Sequence, residues 1–236
     1  GGSTAGWVFE VYRVSDNTLV GTYTSSEDGT ILTDDLIPGD YQIKEIIPED
    51  SLYVCESENP QTVTVVGGQT AEVTFTNRIK PGQIAIQKVD EKGEPLAGAQ
   101  FRLEWSVDGT TWNAIEYSDS QYVTEGTCTT SGLNNGTLTT DDSGLATFTG
   151  LHPERLYRLT EIKAPDGYQL LTKPAYEGGL SLESELIVTI KVTNFPVYEL
   201  PKTGSNSLLL MPLFGLMALT ACAALIVTTA YRRKKA

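Results

Sequence analysis

Side chains that bind metals are scarce in this sequence, which has one histidine and three cysteines among 236 residues. Most zinc, haem and iron–sulfur sites need several such ligands, so we expect neither a metal site nor a cofactor. Basic residues are also few, with 17 lysines and arginines against 30 acidic residues and a net charge of −13. Nucleic-acid binding requires clustered positive charge, and this composition therefore excludes a nucleic-acid partner.

Amphipathic helices of useful length are missing before residue 200, whereas short alternating segments are frequent. Two stretches, 7–80 and 83–195, place β-branched and aromatic residues at every second position, and turn dipeptides such as Asp28-Gly29 and Asn135-Gly136 interrupt them. Such alternation is typical of half-buried strands in sandwiches or barrels. The sequence therefore predicts an all-β fold with antiparallel β-sandwich architecture.

The two stretches repeat each other. The segment 41–45 (Tyr-Gln-Ile-Lys-Glu) matches 157–161 (Tyr-Arg-Leu-Thr-Glu), and 73–77 matches 190–194, each ending in asparagine. We therefore expect two tandem Ig-like antiparallel β-sandwich domains. Their predicted bounds are 1–80 for the first and 81–196 for the second, which is enlarged by an insertion near 104–140.

The C-terminal end differs from the rest in charge and hydropathy. Residues 204–231 carry no charged side chain, and 23 residues from Leu208 to Ala230 lack any ionisable group. A helix of this length spans roughly 34 Å, enough to cross a bilayer, and it shows no polar stripe of the kind that a core helix has. We predict a transmembrane helix over 207–231. The basic tail 232–236, with Arg232, Arg233, Lys234 and Lys235, then stays in the cytoplasm and places the N-terminal domains outside.

A five-residue motif stands in the linker 197–206, just before this span: Leu200, Pro201, Lys202, Thr203 and Gly204. The motif, the apolar span and the basic tail, in this order, resemble the cell-wall sorting signal of Gram-positive surface proteins. The resemblance implies that a sortase attacks the carbonyl carbon of Thr203 and releases everything from Gly204 onward. An amine of a peptidoglycan precursor then displaces the sortase from the carbonyl carbon of Thr203, and the protein becomes attached to the cell wall.

Three polar residues continue the apolar face of predicted strands. Lys88 follows Ile84 and Ile86, Glu161 follows Tyr157 and Leu159, and Asn194 ends the face of the last strand. Because burying a lone charge is costly, we expect these three side chains to meet. The alternative is an open rim, where a lysine and a glutamate form an ordinary surface ion pair.

The segment 157–168, together with 88–90 and 95–101, resembles the Cna B-type, SpaA-like prealbumin-fold domains of pilins and adhesins. The resemblance covers most of 83–195 and, more loosely, 5–80. It implies an intramolecular isopeptide bond between Lys88 and Asn194, with Glu161 as the assisting acid. Burial lowers the pKa of a lysine and raises that of a carboxylic acid, so we expect a neutral amine as nucleophile and a protonated Glu161 that donates to the Asn194 oxygen.

The first domain has Glu45 and Asn77 at the corresponding positions, but a partner lysine is absent. Shifted by the repeat offset of 92, Lys88 would fall at 88 − 92 = −4, before the sequence begins. Lys44 is no substitute, because it lies on the opposite face from Glu45. We expect that the first strand of this domain is missing from the sequence, and with it the lysine that would pair with Asn77.

These features predict a peptidoglycan-anchored structural stalk on the cell surface, in which a single self-modification takes the place of enzymatic turnover. Its partners would be a sortase, the cell wall and, before processing, the membrane. Three alternatives stay open: a permanent single-pass membrane protein, a minor base or tip pilus subunit, and an adhesin for a host or matrix ligand. The adhesin would bind through aromatic residues near the insertion (Trp105, Trp112, Tyr117 and Tyr122). A major pilus shaft subunit is disfavoured, because no Tyr-Pro-Lys pilin motif occurs.

Overall fold

The computed structural model describes residues 4–198, and strands dominate them. Six strands precede Lys80: β1 (Val8–Arg13), β2 (Thr18–Thr24), β3 (Gly39–Ile46), β4 (Tyr53–Cys55), β5 (Gln61–Val65) and β6 (Asn77–Ile79). Ten follow: β7 (Gly82–Val89), β8 (Gln100–Ser106), β9 (Asn113–Ala114), β10 (Glu116–Tyr117), β11 (Thr127–Cys128), β12 (Thr137–Thr139), β13 (Leu145–Leu151), β14 (Leu156–Lys163), β15 (Tyr176–Gly179) and β16 (Ile187–Thr193). The predicted all-β class is confirmed.

Helical structure in this part of the chain is limited to one 3₁₀ turn at Leu182–Ser184. No helix among residues 4–198 is long and apolar enough to cross a membrane. The predicted span over 207–231 lies outside the described residues, as do the sorting motif and the basic tail.

The second domain is a sandwich of two sheets. One sheet has the order β12-β8-β14-β15, with β9 also paired to β8, and the other has the order β13-β7-β16. Within these two sheets the pairing is antiparallel except between β7 and β16, which run parallel from Gln83 opposite Ile187 to Val89 opposite Thr193. The first and the last strand of the domain are therefore direct neighbours. A separate pair in the insertion, β10 and β11, is also parallel. The sandwich is as predicted, with one parallel pair in it.

The core of the second domain comes from the alternation of its strands. Ile84 and Ile86 of β7 are fully buried, and Phe101, Tyr157 and Leu159 face them from the other sheet. Burying each such side chain contributes about 1.5–3 kcal/mol to folding. A turn at Gly144 packs against β7, because its backbone oxygen accepts from the Lys88 N–H at 2.7 Å. Glycine is required there: φ is 71°, and a Cβ would overlap the Lys88 carbonyl oxygen.

The first domain contains a four-stranded sheet of order β2-β1-β3-β5 and a separate β4-β6 pair. Two of its segments, 31–37 and 69–76, carry no strand although their sequences alternate. Their counterparts in the second domain are β13 and β16, which both pair with β7. The described residues of the first domain contain no strand corresponding to β7, so these two segments have no neighbour to pair with.

The insertion between β8 and β12 forms short strands and turns. Trp112 stacks on the guanidinium of Arg158, 4.5 Å from the ring centre, and Arg158 also pairs with Glu104 at 2.8 Å. Tyr117 and Tyr122 are about half exposed. Some aromatic residues of this region therefore pack against other side chains, and others lie at the surface. Cys55 and Cys128 are free thiols.

Candidate functional site

Lys88 lies near the end of β7 with its side chain completely buried. The parity of β7 places it on the same face as Ile84 and Ile86. Its ammonium nitrogen Nζ donates to the backbone oxygen of Val192 at 3.2 Å and to that of Val89 at 3.3 Å. No carboxylate of residues 4–198 forms a salt bridge with it. A lysine inside a sandwich core is therefore held by two neutral acceptors.

Glu161 and Asn194 meet in the same interior. Glu161 comes from β14 in the facing sheet and is 2% exposed, whereas Asn194 follows β16 directly and is 1% exposed. The Asn194 Nδ2 donates to both carboxyl oxygens, at 2.9 Å to Oε1 and 3.1 Å to Oε2. The backbone N–H of Asn194 donates to the Val89 oxygen at 3.1 Å, which fixes this residue beside the end of β7.

Burial changes the acidity of the lysine. Removal from water lowers the pKa of Lys88 from 10.5 to about 8, and the negative charge of Glu161 opposes part of this shift. At neutral pH the uncharged amine is therefore a far larger fraction than for a lysine in water. The uncharged amine has the free electron pair that a nucleophile needs.

The hydrogen bond between Glu161 and Asn194 runs in the opposite direction from the one expected from sequence. The amide nitrogen donates to the carboxyl group, and the amide oxygen Oδ1 is buried without a partner among the described residues. A half-turn of the amide would exchange the two atoms and turn Oδ1 towards the Glu161 carboxyl group. That unpaired oxygen is the atom on which negative charge develops when an amine attacks the amide carbon.

One contributor to the site was missed by the sequence reasoning. The backbone N–H of Leu171 donates to Glu161 Oε2 at 3.0 Å. The loop that carries it is fastened to the chain after Asn194, because Gln169 N–H bonds to the Phe195 oxygen at 2.9 Å and Val197 N–H to the Gly167 oxygen at 2.8 Å. A backbone donor leaves no trace in side-chain patterns, so no sequence motif identifies it.

Glu45 and Asn77 meet in the first domain as their counterparts do in the second. The Asn77 Nδ2 donates to Glu45 Oε1 at 2.6 Å, and Glu45 is 1% exposed. Glu45 Oε2 and Asn77 Oδ1 are buried, and neither has a hydrogen-bond partner in the described structure. Lys44 is exposed, and Lys80 Nζ donates to the Ser51 oxygen at 2.7 Å, so neither lysine completes this pair.

Metal binding finds no support in the described residues, where no group of three histidine, cysteine or acidic side chains is placed to hold an ion. The remaining predicted site residues lie outside the described residues. These are the motif residues Leu200, Pro201, Lys202, Thr203 and Gly204 and the tail residues Arg232, Arg233, Lys234 and Lys235.

Two family models match this sequence. Residues 2–79 and 82–194 each match the SpaA family, described as a prealbumin-like fold domain. Residues 199–236 match the Gram-positive anchor family, described as an LPXTG cell wall anchor motif. The fimbrial subunit type 2 of Actinomyces naeslundii is 24% identical over 241 residues, which cover 91% of this chain and 41% of that protein.

Two solved structures are similar to this chain to different degrees. The Bacillus anthracis TIE protein superposes with a TM-score of 0.57 and 24% identity over 82% of this chain and 31% of its own. The shaft pilin SpaA of Lactobacillus rhamnosus GG has a TM-score of 0.36 and 18% identity, over 84% of this chain and 87% of its own. The chain thus spans less than half the length of the curated relative and of the first of these structures. It belongs to the SpaA prealbumin-like domain family, and its LPXTG anchor motif makes it a peptidoglycan-anchored protein of the cell surface.

Proposed function

We propose that this chain is the wall-proximal stalk of a surface protein, and that its second domain is closed by a self-formed amide between Lys88 and Asn194. The observation that carries the proposal is the burial in one core of three polar side chains, Lys88 of β7, Glu161 of β14 and Asn194 directly after β16. An ordinary rim pair would be solvated, and all three of these residues are at most 2% exposed.

The reaction balances without any added reagent. The lone pair of Lys88 Nζ attacks Cγ of Asn194, and the carbon–oxygen double bond of the amide opens towards Oδ1. Glu161 takes the proton that Nζ loses and passes it to Nδ2. The bond between Cγ and Nδ2 then breaks, ammonia leaves, and a secondary amide joins the two side chains. The event happens once per molecule, because it consumes its own reactants.

The position of the bond supports a mechanical role. Lys88 lies near the start of the domain on β7, and Asn194 lies at its end, directly after the neighbouring strand β16. Tension that enters before β7 would cross the new amide and leave towards the anchor motif. The 105 residues between them, 89–193, would carry little of that load. A stalk needs this property when flow pulls on a cell attached at its far end.

Attachment to the wall would take place at Thr203. A sortase thiolate attacks the carbonyl carbon of Thr203, the bond to Gly204 breaks, and an amine of the peptidoglycan precursor displaces the enzyme. From Phe195 to Thr203 is nine residues, at most about 30 Å when extended. The second domain would therefore lie close to the wall.

A role as a pilus subunit is the second candidate, favoured by the likeness to a protein called a fimbrial subunit. Co-expression with sortases in a Gram-positive host separates it from a monomeric stalk. Ladders of high molecular weight in wall extracts would support a pilus subunit. A single wall-bound species would support the monomeric stalk.

The intact mass of residues 1–203 tests the cross-link. We expect the wild-type protein to be lighter than its sequence by one ammonia, and Lys88→Ala and Glu161→Ala to have full mass. Lys191→Ala removes an exposed lysine from β16 and serves as the matched control, which should lose ammonia like the wild type. A wild-type protein at full mass, or a cross-linked Glu161→Ala variant, would overturn the assignment.

A further inference from the structure

The chain is held to the second domain up to a point three residues before the sorting motif. The Val197 N–H donates to the Gly167 oxygen at 2.8 Å. Gln169 donates twice, from its backbone N–H to the Phe195 oxygen at 2.9 Å and from its side-chain Nε2 to the Pro196 oxygen at 3.1 Å. These three hydrogen bonds fix the course of the chain as far as Val197.

The outward side of this segment is apolar. Asn194 is buried, and the alternation of an extended chain then turns Phe195 and Val197 towards solvent, where they are 55% and 52% exposed. Along β16, the residues at the same parity include Thr189 and Lys191, which are polar and exposed. The outward surface therefore changes from polar to apolar directly before the motif. We call Phe195 and Val197 the apolar pair.

Folding of the second domain does not account for the apolar pair. Neither residue belongs to the buried core, and the residue bonded to Val197 is Gly167, which has no side chain to cover it. Polar residues at both positions would keep the same backbone hydrogen bonds. Single apolar residues are ordinary on a surface, but two neighbours about 7 Å apart on a segment with a fixed course form a continuous patch of the kind found in interfaces.

The short distance to the reacting bond limits where the sortase can lie. Thr203 comes six residues after Val197 (203 − 197), so at most about 22 Å of extended chain separates the two. A folded domain of 100 residues has a radius of gyration of about 13 Å, and its diameter therefore exceeds the length of this tether. A sortase that holds Thr203 in its active site has to lie against this end of the second domain.

We propose that the apolar pair is a docking surface for the sortase that the LPXTG anchor motif implies. The inference rests on the attachment proposed at Thr203 and adds a contact outside the five motif residues. The enzyme would meet Phe195 and Val197 with an apolar surface beside its active site. Because backbone hydrogen bonds already hold the pair in place, little conformational freedom is lost when the enzyme binds, and the contact adds to affinity.

Residues 1–206 test this contact in solution, because they contain every described strand and the whole motif but lack the predicted span. A purified sortase that cleaves this protein is supplied with hydroxylamine as the accepting amine, and formation of the hydroxamate product gives kcat and KM. Phe195→Ser/Val197→Ser should raise KM about tenfold and leave kcat unchanged, because the apolar pair lies away from the reacting atoms.

A matched control alters two other apolar residues that are exposed to a similar degree. Val107→Ser/Tyr117→Ser does so, and Val107 follows the end of β8 that pairs with Leu156, away from Glu161. Its KM should equal that of the wild type. A rise in KM as large as that of Phe195→Ser/Val197→Ser would contradict a specific contact at the apolar pair.

A peptide of residues 199–206 carries the motif without the domain, so this comparison needs no folded variant. The wild-type protein should have a KM about tenfold lower than the peptide, and Phe195→Ser/Val197→Ser should have a KM close to that of the peptide. Equal KM values for the peptide and the wild-type protein would overturn the proposal. An unchanged KM in Phe195→Ser/Val197→Ser would do the same.

Membrane lipid is the other apolar surface that the precursor would meet, and the assay separates it from the enzyme. The reaction in solution contains no lipid, so an effect of the apolar pair on KM there comes from the sortase. If the variant differs from the wild type only after vesicles of phosphatidylglycerol are added, the pair binds lipid and the proposal is wrong.

The cleavage product keeps this inference distinct from the proposed attachment. If mass spectrometry finds the bond between Thr203 and Gly204 broken and the apolar pair has no effect on KM, the docking inference alone fails. If this bond stays intact in the wild-type protein, attachment at Thr203 fails and the docking inference fails with it. The loss of ammonia at Lys88 and Asn194, read in the same spectra, reports whether the variant closes its second domain as the wild type does.

Discussion

Val192 on β16 lies directly opposite Lys88 on β7, and its backbone oxygen accepts a hydrogen bond from the lysine Nζ at 3.2 Å. The parallel register thus points the amine at the end of β16, where Asn194 follows two residues later. Reactive groups held at short range by a folded scaffold gain rate from proximity and orientation alone. The register of two strands, more than any mobile loop, sets the geometry of this site.

Removing the lysine should lower stability well beyond the loss of one side chain. In Lys88→Met the core keeps an apolar stem, but the cross-link cannot form. By analogy with a disulfide that closes a loop of about 100 residues, the free energy of unfolding should fall by about 4–5 kcal/mol. Calorimetry of residues 1–203 measures the change. Lys191→Met, on the exposed side of β16, should unfold at the same midpoint temperature as the wild type. Equal midpoint temperatures for Lys88→Met and the wild type would refute the stabilising role.

The uncross-linked protein should become more stable as pH rises above 8. In Asn194→Ala the acceptor is gone, so Lys88 keeps its amine, whose pKa in the folded state is lowered to about 8 by burial. Between pH 8 and pH 10.5 the unfolded chain binds a proton on this amine and the folded chain does not, so the free energy of unfolding rises with pH through that window. Below pH 8 the folded protein binds the proton as well, and the cost of burying the charged amine is fully present.

Urea titrations of Asn194→Ala at several pH values measure this slope. The double variant Lys88→Met/Asn194→Ala lacks the titrating amine and serves as the control. Subtracting its slope removes the contributions of all other groups. Identical slopes for the two variants between pH 8 and 10.5 would show that the lysine titrates like one in water.

Leu171 should influence the reaction through its backbone. Leu171→Pro removes the N–H that donates to Glu161 Oε2 and so frees the carboxyl group from one of its anchors. We expect a smaller fraction of molecules to have lost ammonia at a set time after a short pulse of expression, measured by intact mass. Leu171→Ala keeps the N–H and should react faster than the proline variant. Equal fractions in the two variants would count against a positioning role.

Wall attachment should depend on Thr203 and tolerate change at Lys202. Thr203→Ala keeps the backbone carbonyl but removes the threonine side chain of the motif, so the sortase should no longer recognise it and the protein should stay in the membrane fraction of a Gram-positive host. Lys202→Ala alters the variable position of the motif and should still yield wall-bound protein released by lysozyme. Fractionation followed by immunoblotting measures both. Wall-bound Thr203→Ala in the same amount as the wild type would contradict a requirement for the Thr203 side chain.

Strand periodicity was enough to predict which side chains point inward. The alternation of Ile84, Ile86 and Lys88 fixes the face of β7, and the same reasoning applies to Glu161 and Asn194. The three are brought together because their strands end at the same side of the sandwich. Their proposed roles stay predictions of the sequence and its resemblance, now joined to a geometry that suits them.

The same reasoning could not predict which strands pair with each other. Alternation assigns faces, but it does not tell which strand lies beside β7, and the parallel partner β16 is about 100 residues away in sequence. The segment 73–77 has the sequence of a strand, yet only Asn77 belongs to one. A strand exists only when a neighbour accepts its backbone hydrogen bonds, and this condition is set by distant parts of the chain.

The parallel register of β7 and β16 has one more consequence, which concerns how the second domain yields to force. The chain enters this pair at Gly82, the first residue of β7, and leaves it at Thr193, the last residue of β16. Because the strands run parallel, these two points lie at opposite ends of the pair. In a domain without the amide between Lys88 and Asn194, pulling on them slides one strand along the other in shear, so all the hydrogen bonds between Gln83 and Val89 and their partners resist together. An antiparallel hairpin pulled from its two ends would peel open one bond at a time.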